Sequence, residues 1–178
     1  MESKEQAILK VAEEMVRSGG YNGFSFREIA QQVGIKSSSV HYYFPTKEDL
    51  GVAVVQYYAD KFIDFLGSPE ELMQRGDDPI ERYVAAFKHA LTEDKGMCLC
   101  GVFGAEVNGL PDKVAAETKN AFVCIAQWLE QAYIQKGMQE HSKTNAIQVL
   151  ALLQGAMIAS KVMNDISVFD QATKHLLV

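Results

Sequence analysis

The stretch SFREIAQQVGIKSSSVHYYFPTKEDL, Ser25 to Leu50, holds two short helical patterns parted by a glycine and closed by a proline. Ser25 followed by Glu28 is a capping-box pattern, in which the hydroxyl accepts an early backbone N–H and the carboxylate reaches back. The helix it opens turns Ile29, Ala30 and Val33 inward and stops at Gly34. A second short helix is predicted from about Ser37 to Phe44, where Pro45 ends it, because the proline ring disfavours an α conformation at the residue before it. Thr46 with Asp49 then opens a longer helix. Two short helices meeting at Val33-Gly34-Ile35 have the shape of a helix-turn-helix, whose second member enters the DNA major groove.

The second short helix carries chemistry that suits the task. Ser37, Ser38 and Ser39 fall in its first turn, where free backbone N–H groups and the helix dipole attract phosphate. The phenols of Tyr42 and Tyr43 can donate to phosphates while their rings press on sugars or thymine methyls; His41 can do either. Lys47 adds a cation at the start of the next helix. The same aromatic cluster also fits a core face. Val40 and Phe44, four apart, can supply that face with Ile29 and Ile35, which leaves His41 and Tyr42 pointing away.

Working outward, helix punctuation recurs and strand signals are nearly absent. Ahead of the motif, Ala7, Ile8, Val11, Ala12, Met15 and Val16 repeat at helical spacing until Gly19-Gly20. Behind it, the helix opened by Thr46 buries Leu50, Val54, Tyr58, Phe62 and Phe65 and closes at Gly67. Ser68-Pro69 and Asp78-Pro79 start two more, since proline suits the first helical position. A short helix is predicted from Cys98 to about Asn108, and a long one follows Pro111 and stops at Gly137. The most apolar helix runs from Lys143 to Asn164, and Ser167 with Asp170 caps a last one carrying Phe169, Ala172 and Leu176. The expected fold is all-α with nine to ten helices.

Of the 178 residues, 48% are hydrophobic and 22% charged, enough for an ordinary globular core. The net charge of −6 speaks against nucleic acid only as an average. From Met15 to Lys47, the cations Arg17, Arg27, Lys36 and Lys47 face Glu28 alone, a balance of +3 that leaves −9 for the remainder. Counterion release depends on the contacting surface, so a basic face on an acidic body can hold a phosphate backbone. Three cysteines without a disulfide spacing, an N-terminus without a secretory h-region and no run of about 18 apolar residues lead us to expect a cytoplasmic protein with reduced thiols and no membrane span.

The chain resembles the tetracycline-repressor (TetR-type) transcriptional regulators. The resemblance runs through Gly20-Tyr21, Ser25-Phe26-Arg27-Glu28-Ile29-Ala30, Val33-Gly34-Ile35, Val40-His41-Tyr42-Tyr43-Phe44 and Lys47-Glu48, and covers residues 4–50. It departs where a small polar cap is usual and this chain has Lys36, so the cap falls on Lys36 or Ser37. By position, the match implies that Ser25, Arg27, Ser37, Ser38, Ser39, His41, Tyr42, Tyr43 and Lys47 approach double-stranded operator DNA, with Lys36 beside them. It also implies an N-terminal helix-turn-helix domain, 1–47, and a C-terminal effector-binding and dimerisation domain, 48–178.

The resemblance further implies a homodimer made by the last two long helices. Ala146, Leu150, Leu153, Gly155 and Met157 spread apolar residues around much of one helix, and Phe169 and Leu176 follow on the last; a buried central helix is the alternative. A two-fold dimer predicts a near-palindromic operator. The middle helices are expected to enclose a pocket for a small-molecule effector, lined by Phe62, Phe65, Phe87, Phe103, Trp128 and Met157. Glu106 shares a helical face with Leu99 and Phe103, either at a rim or as a buried group that a cationic or hydrogen-bonding ligand satisfies. Cys98, in GMCLCG, is either an inert core thiol or a reactive one near a helix start, and Cys98-Leu99 with Ala105-Glu106-Val107 is similar to the family's electrophile-sensing members.

These readings converge on a one-component regulator, a repressor released from its operator by an effector, with the helix from Thr46 to Leu66 as the lever. A thiol-based repressor acting through Cys98 is the alternative. From other classes, the rivals are an all-helical enzyme and an interaction protein without DNA binding. No metal motif, phosphate loop or nucleophile–base pair stands out; His89, His141 and His175 are scattered, so no catalysis, cofactor or metal is expected.

Overall fold

The computed structural model describes residues 3–94 and 96–177. Among the described residues the backbone forms ten α-helices and no strand: α1 Lys4–Gly19, α2 Phe26–Val33, α3 Ser37–Tyr43, α4 Lys47–Leu66, α5 Pro69–Arg75, α6 Pro79–Thr92, α7 Leu99–Ala105, α8 Asp112–Gln135, α9 Ser142–Met163 and α10 Ile166–Thr173. They group into two compact units. One runs to Lys61 and takes in Leu99–Ala121; the other comprises Phe62–Cys98 and the chain from Phe122 onward.

In the first unit, α1 opens at Ser3, whose hydroxyl accepts the Gln6 N–H at 3.1 Å while the Gln6 amide oxygen accepts the Ser3 N–H at 3.0 Å. Its inner face is Ile8, Leu9, Ala12 and Val16. Glu13 is buried with them, and its charge is matched by Lys61 at 2.8 Å and Arg17 at 3.6 Å. Helix α2 is capped by Ser25, which accepts the Glu28 N–H at 3.3 Å and donates its own proton to Glu28 Oε2 at 2.6 Å. Gly34 ends α2 in the left-handed conformation, φ 74°, which a glycine adopts without steric cost. At the start of α4, Thr46 and Asp49 exchange bonds, each accepting the other's backbone N–H at 3.1 Å. Gly51 lets α4 lie close to its neighbours, since a Cβ there would stand 2.9 Å from Val114 Cγ2 and 3.0 Å from Tyr21 Cε2.

In the second unit, Ser68 and Asp78 cap α5 and α6, each with proline at the first helical positions. The end of α4 is closed by side chains from elsewhere. Arg82 Nε donates to the Leu66 carbonyl at 2.8 Å, and Trp128 Nε1 donates to the Gly67 carbonyl at 2.7 Å. Helix α9 packs against both α6 and α10. The last cap differs from expectation. Asn164 ends α9 in the left-handed conformation, φ 50°, so the chain reverses at once and Asp165, rather than Ser167, takes the cap position, accepting the Ser167 N–H at 2.9 Å. The helix expected from Cys98 to Asn108 is also shorter: α7 stops at Ala105, and Val107–Gly109 form a separate 3-10 turn.

One stretch, Gln139–Met163, is long and apolar enough to cross a membrane by length and composition, although it holds no unbroken apolar run of about 18 residues. Its Ala146, Val149, Leu150, Leu153, Ala156 and Met157 are core residues of the second unit. The close approach at Gly51 is open to test. Gly51→Val is expected to lower the unfolding free energy by about 1–3 kcal/mol in a urea titration, because Val114 and Tyr21 must give way.

Candidate nucleic-acid interface

Helices α2 and α3 are joined by Gly34, Ile35 and Lys36. Lys36 stands at the cap position of α3 and makes no side-chain capping bond. With seven residues, α3 is too short to be stable alone, so its placement depends on the apolar residues beneath it. Val40 is fully buried, and Phe44 is nearly so. That orientation decides where the rest of α3 faces. Ser37, Ser38 and His41 are exposed, Ser39 and Tyr43 are half-buried, and Tyr42 is 82% exposed. An aromatic ring with a hydroxyl at its tip, so open to water, is well suited to docking against a partner that is apolar on one side and polar on the other.

The exposed groups have ordered neighbours. The His41 ring meets Phe26 of α2 edge-on at 4.5 Å, and Tyr42 meets Tyr43 at 5.3 Å. Arg27 and Lys36 are exposed; Ser25 is half-buried at its cap. Lys47 is more enclosed than a simple phosphate contact requires. Its ammonium lies 4.5 Å from the Phe24 ring centre and 4.9 Å from that of Tyr21. Burial pulls its pKa below the ordinary lysine value, and the Glu28 carboxylate works in the opposite direction. Phe24, Phe26 and Tyr21 are thus part of the support for this face. The tyrosine pair and the serines drew attention in the sequence because they are polar and aromatic together; these supporting rings sit between helices or at helix starts, where periodicity carries no signal.

The residues assigned to an effector pocket separate into two groups. In the second unit, Phe62 meets Tyr83 at 5.9 Å and Phe87 at 6.1 Å, and Tyr83 stacks on Trp128 at 6.2 Å. Tyr83 is the centre of this cluster and was not among the expected residues. Phe65 is 54% exposed, with the Arg82 guanidinium 5.0 Å from its ring centre. Cys98 is buried; its N–H points at Met157 Sδ at 3.1 Å, and Gln154 Nε2 lies 3.5 Å from its Sγ. Phe103 and Glu106 belong to the first unit, where both engage Tyr21.

The residues expected at a dimer contact need correction. Ala146, Leu150, Leu153, Met157 and Phe169 are buried within the chain itself, and Leu176 is half-buried. Most of the apolar residues that α9 leaves exposed lie on its other side, Ile147, Ala151, Gly155, Ile158 and Val162, while Met163 is exposed at its end. The helix is apolar all round, so periodicity could not say which side faced inward. No group of three or more His, Cys, Asp or Glu side chains among the described residues is placed to hold a metal ion.

Comparison with known proteins follows the same geometry. Residues 8–54, which span α1, α2, α3 and the start of α4, match the family described as bacterial regulatory proteins, tetR family. The chain is 34% identical over 84 residues to the HTH-type transcriptional regulator YuxN of Bacillus subtilis, a match over 47% of this chain and 28% of that protein. It is 24% identical to the HTH-type transcriptional repressor NemR of Escherichia coli, over 95% of this chain and 89% of that one. The crystal structure of a TetR transcriptional regulator from Legionella pneumophila superposes with a TM-score of 0.82 at 30% identity, covering 97% of this chain and 94% of the other. An outward-facing α3 on a helix-turn-helix, a matching N-terminal profile and likeness along nearly the whole chain agree, and the protein belongs to the TetR family of bacterial transcriptional regulators.

Proposed function

We propose that the protein is a homodimeric repressor that grips a near-palindromic operator with α3 of each copy and lets go when a small-molecule effector binds. The observation that carries this reading is the outward turn of Tyr42 and His41 while Val40 and Phe44 anchor the same helix. In it, the serine hydroxyls and the phenols of Tyr42 and Tyr43 reach phosphates and base edges, while Arg27 and Lys36 supply cations. Ser25 lies at the edge of that contact; Lys47 contributes from its seat on Tyr21 and Phe24. Residues 1–47 do the DNA work, and 48–178 bind effector and partner. The regulator works in the cytoplasm, where its operator is, and no catalysis is assigned to it.

A second copy covers the exposed stripe of α9. Ile147, Ala151, Gly155, Ile158 and Val162 recur at spacings of four and three, and a Cβ on Gly155 would meet nothing within 4 Å, which leaves room for a helix to approach. The effector works against the aromatic cluster of Phe62, Phe87 and Trp128. It must bind the DNA-incompetent arrangement better than the competent one, with a coupling of roughly 1–3 kcal/mol. Helix α4 is the lever, since it carries Lys47 at one end and Phe62 and Phe65 near the other, about 25 Å apart along its axis.

A second reading makes Cys98 the trigger, favoured by the Gln154 amide 3.5 Å from its sulfur. An electrophile with an activated double bond would form an S–C bond to its β-carbon while the thiol proton ends on its α-carbon through water, and the added group would push aside Gln154 and Met157 on α9. Cys98→Ser separates the readings. If N-ethylmaleimide releases DNA from the wild type and not from this variant, the thiol is the trigger; DNA retained by both assigns release to a reversibly bound effector, and release from both points to another thiol such as the exposed Cys124.

Tyr42→Ala is expected to raise Kd for a DNA fragment selected from a random pool about tenfold, with unfolding free energy unchanged within about 0.5 kcal/mol. Gel shift and thermal melting check the two halves, and wild-type affinity in the variant would falsify the contact. Binding should also weaken steeply with salt, as phosphate contacts require. Ile158→Asp should give a monomer in sedimentation equilibrium, because it buries a charge against its symmetry mate; a persistent dimer would move the interface elsewhere.

A further inference from the structure

Gly20 and Tyr21 precede the helix-turn-helix, and several elements of the first unit converge on them. The Tyr21 N–H donates to Glu106 Oε2 at 2.8 Å, across 85 residues of sequence. Gly20 has φ 69°, and a Cβ on it would stand 2.0 Å from Glu106 Oε1. The carboxylate therefore occupies the space that any other side chain at position 20 would fill. The Tyr21 ring meets Phe103, on the helix that delivers Glu106, at 6.0 Å, and Phe24 at 5.7 Å. Lys47 lies over both Tyr21 and Phe24. Phe24 leads directly into the Ser25 cap of α2, and Lys47 begins α4 just past α3. Both ends of the helix-turn-helix are thus seated on one tyrosine, and Glu106 holds that tyrosine by its backbone.

We propose that Glu106 is a positioning residue for operator binding: its carboxylate, bonded to the Tyr21 N–H over Gly20, sets the turn on which both ends of the helix-turn-helix rest. This rests on the DNA-binding reading above. A carboxylate accepting a backbone N–H makes a charge-assisted bond, stronger than a neutral one. Electrostatics alone favours the opposite outcome from positioning. Removing a negative charge from an acidic chain eases its approach to phosphates, whereas losing the tie leaves α2 and α3 less well placed and weakens binding. The sign of the change therefore separates the two effects.

The test uses the full chain and a DNA fragment that the wild type retains from a random pool. Glu106→Gln keeps an acceptor oxygen without the charge; Glu106→Ala removes both. Titrations at several salt concentrations should show Kd raised about tenfold or more by alanine and less by glutamine. The slope of log Kd against log salt should stay at the wild-type value, because the phosphate contacts themselves are intact. Circular dichroism melts establish that each variant is folded at the assay temperature. A folded alanine variant that binds as well as the wild type, or more tightly, overturns the proposal. Should alanine fail to fold, the glutamine variant carries the test through hydrogen exchange of the Tyr21 amide. Faster exchange with weaker binding supports the tie; wild-type exchange with wild-type binding overturns it. If the wild type retains no fragment, the DNA-binding reading itself fails, a result distinct from failure of the tie, and the proposal falls with it.

Discussion

Everything proposed for this protein turns on a helix of seven residues that cannot hold its own shape. A segment as short as α3 gains too few internal hydrogen bonds to offset the entropy of ordering it. It persists because Val40 and Phe44 are buried beneath it, and those two side chains set its rotation. Once they point inward, helical geometry sends Tyr42 to the opposite side and His41 to the flank. The exposure of that face is therefore a consequence of core packing.

The support extends outward through rings and one cation. Phe26 backs His41, while Phe24 and Tyr21 lie under the ammonium of Lys47. A cation over an aromatic face in a partly desolvated place contributes of order 1 kcal/mol, comparable with a helix cap. Such contacts are weak singly. Together they link the start of α2, the start of α4 and the turn after α1, so that α3 is held between fixed ends. Helix α9 solves a different problem, since one side of it forms the core of the second unit and the other stays apolar without cover from its own chain.

Much of this architecture was legible in the residue order. Ser25, Thr46, Ser68-Pro69 and Asp78-Pro79 start helices where they were expected, and Gly34, Gly67, Gly76 and Gly137 all take positive φ. Caps and stops act over three or four residues, so their chemistry is visible locally. Three features were misjudged for one shared reason. Asn164 turned left-handed and handed the last cap to Asp165; α7 ended at Ala105, short of Asn108; and the buried side of α9 was the one expected to face a partner. Each depends on what lies across from the segment, and the local pattern was neutral or apolar in every direction.

By itself, the sequence determined the all-helical character, most helix boundaries, the helix-turn-helix and the polar-aromatic makeup of its second helix, because these follow from capping, periodicity and backbone sterics within a few residues. Only the tertiary structure decided that Phe103 and Glu106 serve Tyr21, that Tyr83 is the centre of an aromatic cluster, and that Lys47 sits on two rings. Those pairings join residues tens of positions apart. Their partners are selected by shape and burial when helices pack, which no spacing rule along the chain encodes.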